Sequence, residues 1–230
     1  MKKLFKLFTL AIVVFAMTFT TSSCKKGEND PGISLRSRTA RLSGEWTLAE
    51  FDYTSTSKSS GKDWNDDTYT RSSTSTSKFD GTTRTYTSTS VYNGETSTYS
   101  DIIMYSETIT IESDGTFKIK TVTTDDGDVS TRTTEGDWIW LKGNDEKELS
   151  NKEAVLFTPT KESNVSTYNG STSTSSSTYG GKNLREPVTY IIDRLANDEL
   201  IILIDSENTS NSGTYSSSST TKGTKRYTQK

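Results

Sequence analysis

Histidine is missing from this chain of 230 residues, and cysteine occurs once. Without an imidazole there is no Ser-His or Cys-His nucleophile and no histidine metal ligand, and one thiol makes neither an internal disulfide nor a thiolate zinc cage. A G-x-S-x-G nucleophile turn is also lacking. Apolar residues are scarce, at 29%. Basic residues do not dominate either: 27 Lys and Arg face 30 Asp and Glu, which leaves no broad positive field for nucleic acid. The pattern excludes the common hydrolases, zinc modules and DNA- or RNA-binding domains, and the expectation is a protein that is not an enzyme and needs no cofactor or metal. What the chain does have is 10% aromatic residues, including four tryptophans, and repeated apolar alternation. These offer enough area for one modest core.

The lone cysteine finds its meaning in its position. Lys2, Lys3 and Lys6 precede an apolar stretch from Leu7 to Phe19, too short to span a bilayer stably, and small polar residues then lead into Cys24. Residues 1–23 thus have the three-part layout of a secretory signal peptide that is removed. The junction resembles the lipobox of bacterial lipoproteins, with Thr21 where that pattern usually carries leucine. The resemblance implies that Cys24 becomes the first mature residue and carries a diacylglycerol and an acyl chain such as palmitate, enough for stable membrane anchoring. Residues 24–33 then form a lipidated cysteine and polar tether. Glu28 and Asp30 behind the cysteine are similar to the surface-export signal of Bacteroidetes lipoproteins, and both faces of the outer membrane stay open as locations.

From residue 34 onward the pattern is all-β. Asp80-Gly81, Asn93-Gly94, Asp114-Gly115, Asp126-Gly127 and Asn169-Gly170 are Asx-Gly pairs suited to tight hairpin turns, each between β-prone runs. In S-E-T-I-T-I-E-S-D-G-T-F-K-I-K-T-V, Ile109, Ile111, Phe117 and Ile119 alternate with polar residues around such a turn, a hairpin with one buried face. Further strands are predicted over 45–54, 68–79, 82–92, 129–141, 154–158, 188–194, 200–205 and 224–229. A short helix is expected over 34–42 and a loop over 144–152. Strands joined in order by short turns make an antiparallel meander, and closing it into an up-and-down barrel removes both edges.

At L-S-G-E-W-T-L, Gly44 and Trp46 form a G-x-W that resembles the motif of lipocalins and of lipocalin-like Bacteroidetes lipoproteins. The resemblance implies that residues 34–230 form one lipocalin-like barrel. In it Trp46 would close one end, packed under a basic residue of the last strand, Arg226 or else Lys225. It also implies a cavity, with Phe51, Tyr53, Tyr86, Ile109, Phe117, Ile119 and Trp138 as candidate lining.

The chain departs from that family around 70–77, 83–90, 163–178 and 210–221, where Ser, Thr and Tyr almost exclude other residues. Neither face of such a strand is apolar, so these stretches cannot lie on a hydrophobic core and their register is weakly specified. They read as hairpins beyond the barrel, as strands facing a hydrated lumen, or as disordered insertions, with the last two stretches expected to be the least ordered. Asp125, Asp126 and Asp128 belong to an Asp-Gly turn and lack the spacing of a calcium loop. Glu107, Glu112 and Glu135 are placed by alternation on the wet face of their strands.

Two functions fit. One is a lipid-anchored envelope barrel that binds a small or amphiphilic ligand. The other is a filled barrel whose Ser/Thr/Tyr hairpins contact an envelope protein or glycan.

Overall fold

The computed structural model describes residues 37–62, 67–141, 153–180 and 185–230. Cys24, the signal, the tether, the start of the expected helix and the 144–152 loop lie outside the described residues. The described part is built from one helix, α1 (Arg38–Leu42), and eleven strands: β1 (Gly44–Lys62), β2 (Thr68–Phe79), β3 (Thr83–Tyr92), β4 (Glu95–Ile111), β5 (Thr116–Asp125), β6 (Asp128–Leu141), β7 (Glu153–Tyr168), β8 (Ser171–Thr178), β9 (Val188–Leu195), β10 (Glu199–Ser212) and β11 (Tyr215–Gln229). Ser37 starts the helix, its hydroxyl accepting from the Ala40 amide at 3.1 Å, as an N-cap serine does. No helix among the described residues is long and apolar enough to cross a membrane.

The pairings are antiparallel, and the sequence of neighbours β1-β2-β3-β4-β5-β6-β7-β9-β10-β11 returns to β1, closing a barrel of ten strands with β8 attached to β7. The all-β barrel expected from the turn pattern is therefore the fold. All five Asx-Gly pairs sit at bends between strands, and Asn93, Asp126 and Asn169 take φ of 48°, 45° and 47°, as the first central residue of a type I′ hairpin turn must.

The barrel has two storeys, because two strands change partners along their length. At the end where the chain enters, Gly44–Thr47 of β1 pair directly with Thr108–Ile111 of β4. From Phe51 on, β1 takes β2 as its neighbour instead, and the β2–β3 hairpin widens the wall. On the far side, β7 carries β9 along its first residues and β8 along its last. Strand β10 pairs with β9 only over Leu200–Leu203. The base is thus a closed ring of β1, β4, β5, β6, β7, β9, β10 and β11. Above it, among the described residues, β8 has only β7 beside it and the outer half of β10 has only β11, so the upper wall carries a seam between β8 and β10.

Burial follows the storeys. The base is filled by Leu42, Trp46, Leu48, Ile109, Ile111, Phe117, Trp138, Val155, Phe157, Leu195, Leu200, Ile202 and their neighbours. Each large side chain removed from water there contributes about 1.5–3 kcal/mol before chain entropy is subtracted.

Of the three readings of the Ser/Thr-rich stretches, the strands of the wall are the one found: they form its upper part, and not disordered insertions. Strand β1 runs on to Lys62, β7 to Tyr168, β10 to Ser212, and β11 starts as early as Tyr215, each far longer than its predicted apolar piece. Strand β8, with no apolar residue, lies within the 163–178 stretch for which strand, hairpin and disorder are all open in the sequence. The two stretches expected to be least ordered pair residue for residue, Lys161–Tyr168 with Ser171–Thr178 and Ser206–Ser212 with Tyr215–Thr221. Backbone hydrogen bonding, threonine's β propensity and hydroxyl ladders hold them without a core beneath. Ser57–Ser73, Ser60–Ser216 and Ser55–Thr221 hydroxyl pairs, all at 3.0 Å, run across β2, β1 and β11.

Candidate binding lumen

The base is closed where the sequence places it, but not by the expected partner. Trp46 is fully buried and donates its indole Nε1–H to the Leu42 carbonyl at 2.7 Å. Gly44 has φ of +142°, and a Cβ there would fall 2.3 Å from the Gln229 side-chain amide. That amide donates to the Ser43 carbonyl at 3.2 Å, so Gln229 of the last strand packs over the entry of the first. Arg226 does not lie on Trp46. It points outward and meets Glu50 at 3.0 Å. The reason is strand parity: Tyr227 and Lys225 face the interior, and the residue between them must face out.

Lys225, the alternative partner, does point inward, but to a different group. Its ammonium sits 2.9 and 3.2 Å from the two carboxylate oxygens of Glu107. Tyr227 and Tyr105 donate their hydroxyls to the same carboxylate at 2.5 and 2.7 Å. Glu107 is 7% exposed. Its expected place on the wet face is therefore wrong: it shares parity with Ile109 and Ile111 and turns inward with them. Glu135, by contrast, does face outward, between Lys118 and Lys161. The Glu107 cluster stands at the fork where β1 leaves β4 and β2 enters. Phe51, Phe79 and Tyr105 fill the same fork with ring centroids 5.5 to 5.8 Å apart.

The electrostatics of this cluster are self-contained. Burial pushes the Glu107 carboxyl upward, but the Lys225 charge and the tyrosine hydroxyls outweigh it and hold the group below the usual carboxylate range. Burial likewise depresses Lys225, and the facing Glu107 outweighs it, so its ammonium is held above the ordinary lysine value. Burial, followed by the Glu107 charge, raises Tyr105 and Tyr227, which keeps both as hydroxyl donors. The ion pair is thus complete, hydrogen-bonded and neutral overall.

Of the candidate lining residues, Phe51, Ile109, Phe117 and Trp138 are buried in the packed base, and Tyr53 and Ile119 lie against it. Tyr86 alone stands clear of it, higher on the wall. They form the floor of the lumen more than its sides.

Above the floor the inward positions change character. Ser55, Ser57 and Ser59 of β1, Ser73 and Ser75 of β2, Ser88 and Ser90 of β3, and Thr121, Thr123 and Thr134 of β5 and β6 are half-buried, with water reaching the inner face. Two tyrosine pairs stand among them: Tyr86 with Tyr99, ring centroids 6.2 Å apart, and Tyr69 with Tyr92 at 6.1 Å. Arg84 donates to the buried Ser77 hydroxyl at 3.0 Å and holds its guanidinium 5.9 Å from the Tyr86 ring. Arg132 pairs with Glu162 at 2.9 Å, and Arg185 reaches the same carboxylate. The wall thus presents hydroxyls and aromatic rings, with Arg84 between them and Arg132 and Arg185 sharing one carboxylate. No signal from hydropathy could have found this surface, because serine and threonine score alike.

A further concavity of about 560 Å³ lies outside the fork, lined by Glu50, Asp52, Lys78, Asp80 and Arg226 among others. Its cations are engaged by their neighbours, Lys78 with Asp52 at 2.9 Å and Arg226 with Glu50, which leaves it no convergent set of polar groups. No protein-family model matches this chain, and no curated protein matches it in sequence.

Proposed function

We propose that this chain is a lipid-anchored protein of the bacterial cell envelope, lipocalin-like in plan and not an enzyme, that holds a small or amphiphilic molecule in the upper half of its barrel. The observation that carries this reading is the division of the interior: a dry, filled base below, and above it an inner wall of half-exposed hydroxyls and tyrosines. A barrel meant only as a solid structural unit gains nothing from inward-facing serines in its upper half.

Anchoring through Cys24 gives the barrel a direction. The chain enters at the base, so the lipid side is the filled end and the hairpin tips point away from the bilayer. A tether from Cys24 to Ser37 spans at most about 45 Å, enough to clear the headgroups. Labelling cells with a radioactive fatty acid should mark the wild type and not Cys24→Ala; equal labelling of both would end the lipoprotein reading. Native mass spectrometry of the full chain purified from its own membrane tests the ligand reading, with a bound small molecule at near-stoichiometric occupancy as the expected result.

The second reading, a filled barrel that contacts an envelope protein or glycan, draws on the packed state of Phe51, Ile109, Phe117 and Trp138. A protein isolated without any small molecule would favour it.

A further inference from the structure

We propose that the upper lumen is a carbohydrate site, which takes a linear, uncharged oligosaccharide along the inner face of β3 and β4. This deepens the ligand-binding reading above and rests on it. Four observations meet at that wall. Tyr86 and Tyr99 form an aromatic pair facing the lumen, and Tyr99 is 59% exposed although its strand parity points inward. An aromatic ring held facing water, on the concave side of a sheet, is a platform for the face of a ligand ring. The C–H faces of a pyranose ring carry slight positive charge and suit the negative face of a tyrosine ring.

The groups around the platform are those that hydroxyls require. Asp101 lies directly across from Tyr86 in the β3–β4 register, and its charge lifts the Tyr99 phenol above its ordinary value, so the carboxylate is beside the ring. A carboxylate accepts from two neighbouring hydroxyls at once, and the guanidinium of Arg84 beside Tyr86 donates. Ser88 and Ser90 line the way upward from there. Serine hydroxyls both donate and accept, which matches a ligand that does the same at every carbon.

Length and charge narrow the class. Tyr92, in the second pair with Tyr69, is six residues beyond Tyr86 on the same strand, about 20 Å or roughly four sugar rings along. Gly61 makes room for that pair, since a Cβ there would lie 3.2 Å from the Tyr69 hydroxyl. At the platform itself the Arg84 cation and the Asp101 carboxylate stand one for one, which suits an uncharged ligand, while on the far wall Glu162 takes Arg132 and Arg185 together. Access is provided by the seam. Counting strands round the upper wall from β10 through β11, β1 and onward to β8, the midpoint falls between β3 and β4, so the platform faces the gap. A chain longer than the lumen can therefore leave by the side or by the open top.

The test uses the full chain in detergent and a panel of linear neutral hexasaccharides: β-1,4-glucan, α-1,4-glucan, β-1,4-xylan and β-1,4-mannan, titrated by calorimetry. At least one should bind, and Tyr86→Ala with Tyr99→Ala should weaken it by about tenfold or more. Ile102→Ala, 64% exposed on the outer face of β4, should leave affinity unchanged. Tyr99→Ala alone, at an exposed site, guards against a folding defect in the pair. Failure of every sugar to bind at about 10 mM, or full affinity in the tyrosine variants, would overturn the proposal. Native mass spectrometry separates the two failures. A non-carbohydrate ligand held by a protein that ignores all four sugars removes this inference and keeps the binding reading, whereas no ligand of any kind removes both.

Discussion

The base and the upper storey of this barrel are made from the same strands but held by different forces. In the base, inward positions are Trp, Phe, Leu, Ile and Val, and cohesion comes from area removed from water. In the upper storey they are mostly serine, and the wall is held by its backbone ladder and by hydroxyl pairs such as Ser57–Ser73. A strand needs only one partner edge and a compatible residue to continue; it does not need a core beneath it. The difference teaches that stability and shape have separate sources here: the base supplies the first and carries the second upward like a collar.

The comparison breaks most visibly at Trp46. Trp46→Ala should cost about 3–5 kcal/mol in a urea melt, the range for removing a fully buried tryptophan, while Tyr99→Ala in the upper storey should stay within about 0.5 kcal/mol. Similar losses at both sites would erase the distinction.

Next comes the boundary between the storeys. Glu107→Leu leaves Lys225 buried without its counterion and should cost about 3–5 kcal/mol, whereas adding Lys225→Met should restore much of that, since a buried pair replaced by apolar residues is often neutral. The pH dependence follows from the direction of each shift. Glu107 is held below its unfolded value near about 4.3, so its stabilisation is complete above that pH and is lost as pH falls through the folded value. Lys225 is held above its unfolded value near about 10.4, so its contribution is complete below that pH and is lost as pH rises through the folded value. Melts across pH should show the wild type losing more stability at both extremes than the Leu/Met double variant. Parallel curves would assign the pH dependence to other groups.

A smaller effect is expected where the wall has no room. At Gly223 a Cβ would fall 2.2 Å from the Asp52 carbonyl and 2.4 Å from the Tyr53 Cβ, so Gly223→Ala must displace β1 or β11 and should cost about 1–3 kcal/mol. The smallest effect belongs to Arg226. Paired with Glu50 on the outside, it should lose only about 0–1 kcal/mol as Arg226→Ala, and a double-mutant cycle with Trp46→Ala should show no coupling. Coupling of about 0.5 kcal/mol or more would return Arg226 to the closure.

Much of this was legible in the sequence. The Asx-Gly pairs marked the turns between strands, and the bounds of β2 were predicted to the residue. Glu107 and Arg226 are the misplaced residues: alternation counted from Ile109 turns Glu107 inward rather than to the wet face, and alternation counted from the inward Tyr227 turns Arg226 outward, against what the lipocalin resemblance implies. Strands β2 and β3 of the upper wall are predicted, but the upper parts of β1, β7, β10 and β11 stay open among strand, hairpin and disorder, because hydropathy shows no alternation there. It is present in another form. Ser55, Ser57, Ser73, Ser75, Ser88, Ser90, Ser173 and Ser175 lie on the inner parity, and Thr54, Thr56, Thr74, Thr76, Thr87, Thr89, Thr172 and Thr174 on the outer. The compact residue lines the concave side, and the β-branched one covers the backbone on the convex side. Gln229 at the closure had no signal, because only the register of β1 with β11 brings it to Trp46.

Amide hydrogen exchange on the full chain, followed by mass spectrometry, addresses the division of the barrel most directly. Peptides from the base, residues 44–51, 107–119, 153–157, 200–203 and 224–229, should exchange only with global unfolding. Peptides from the upper wall, residues 70–77, 85–92, 171–178 and 207–216, should exchange by local opening at far lower free energy, with β8 and the outer half of β10, which flank the seam, fastest. Equal protection from base to rim, or slow exchange at the seam, would contradict a barrel whose stability resides in its base.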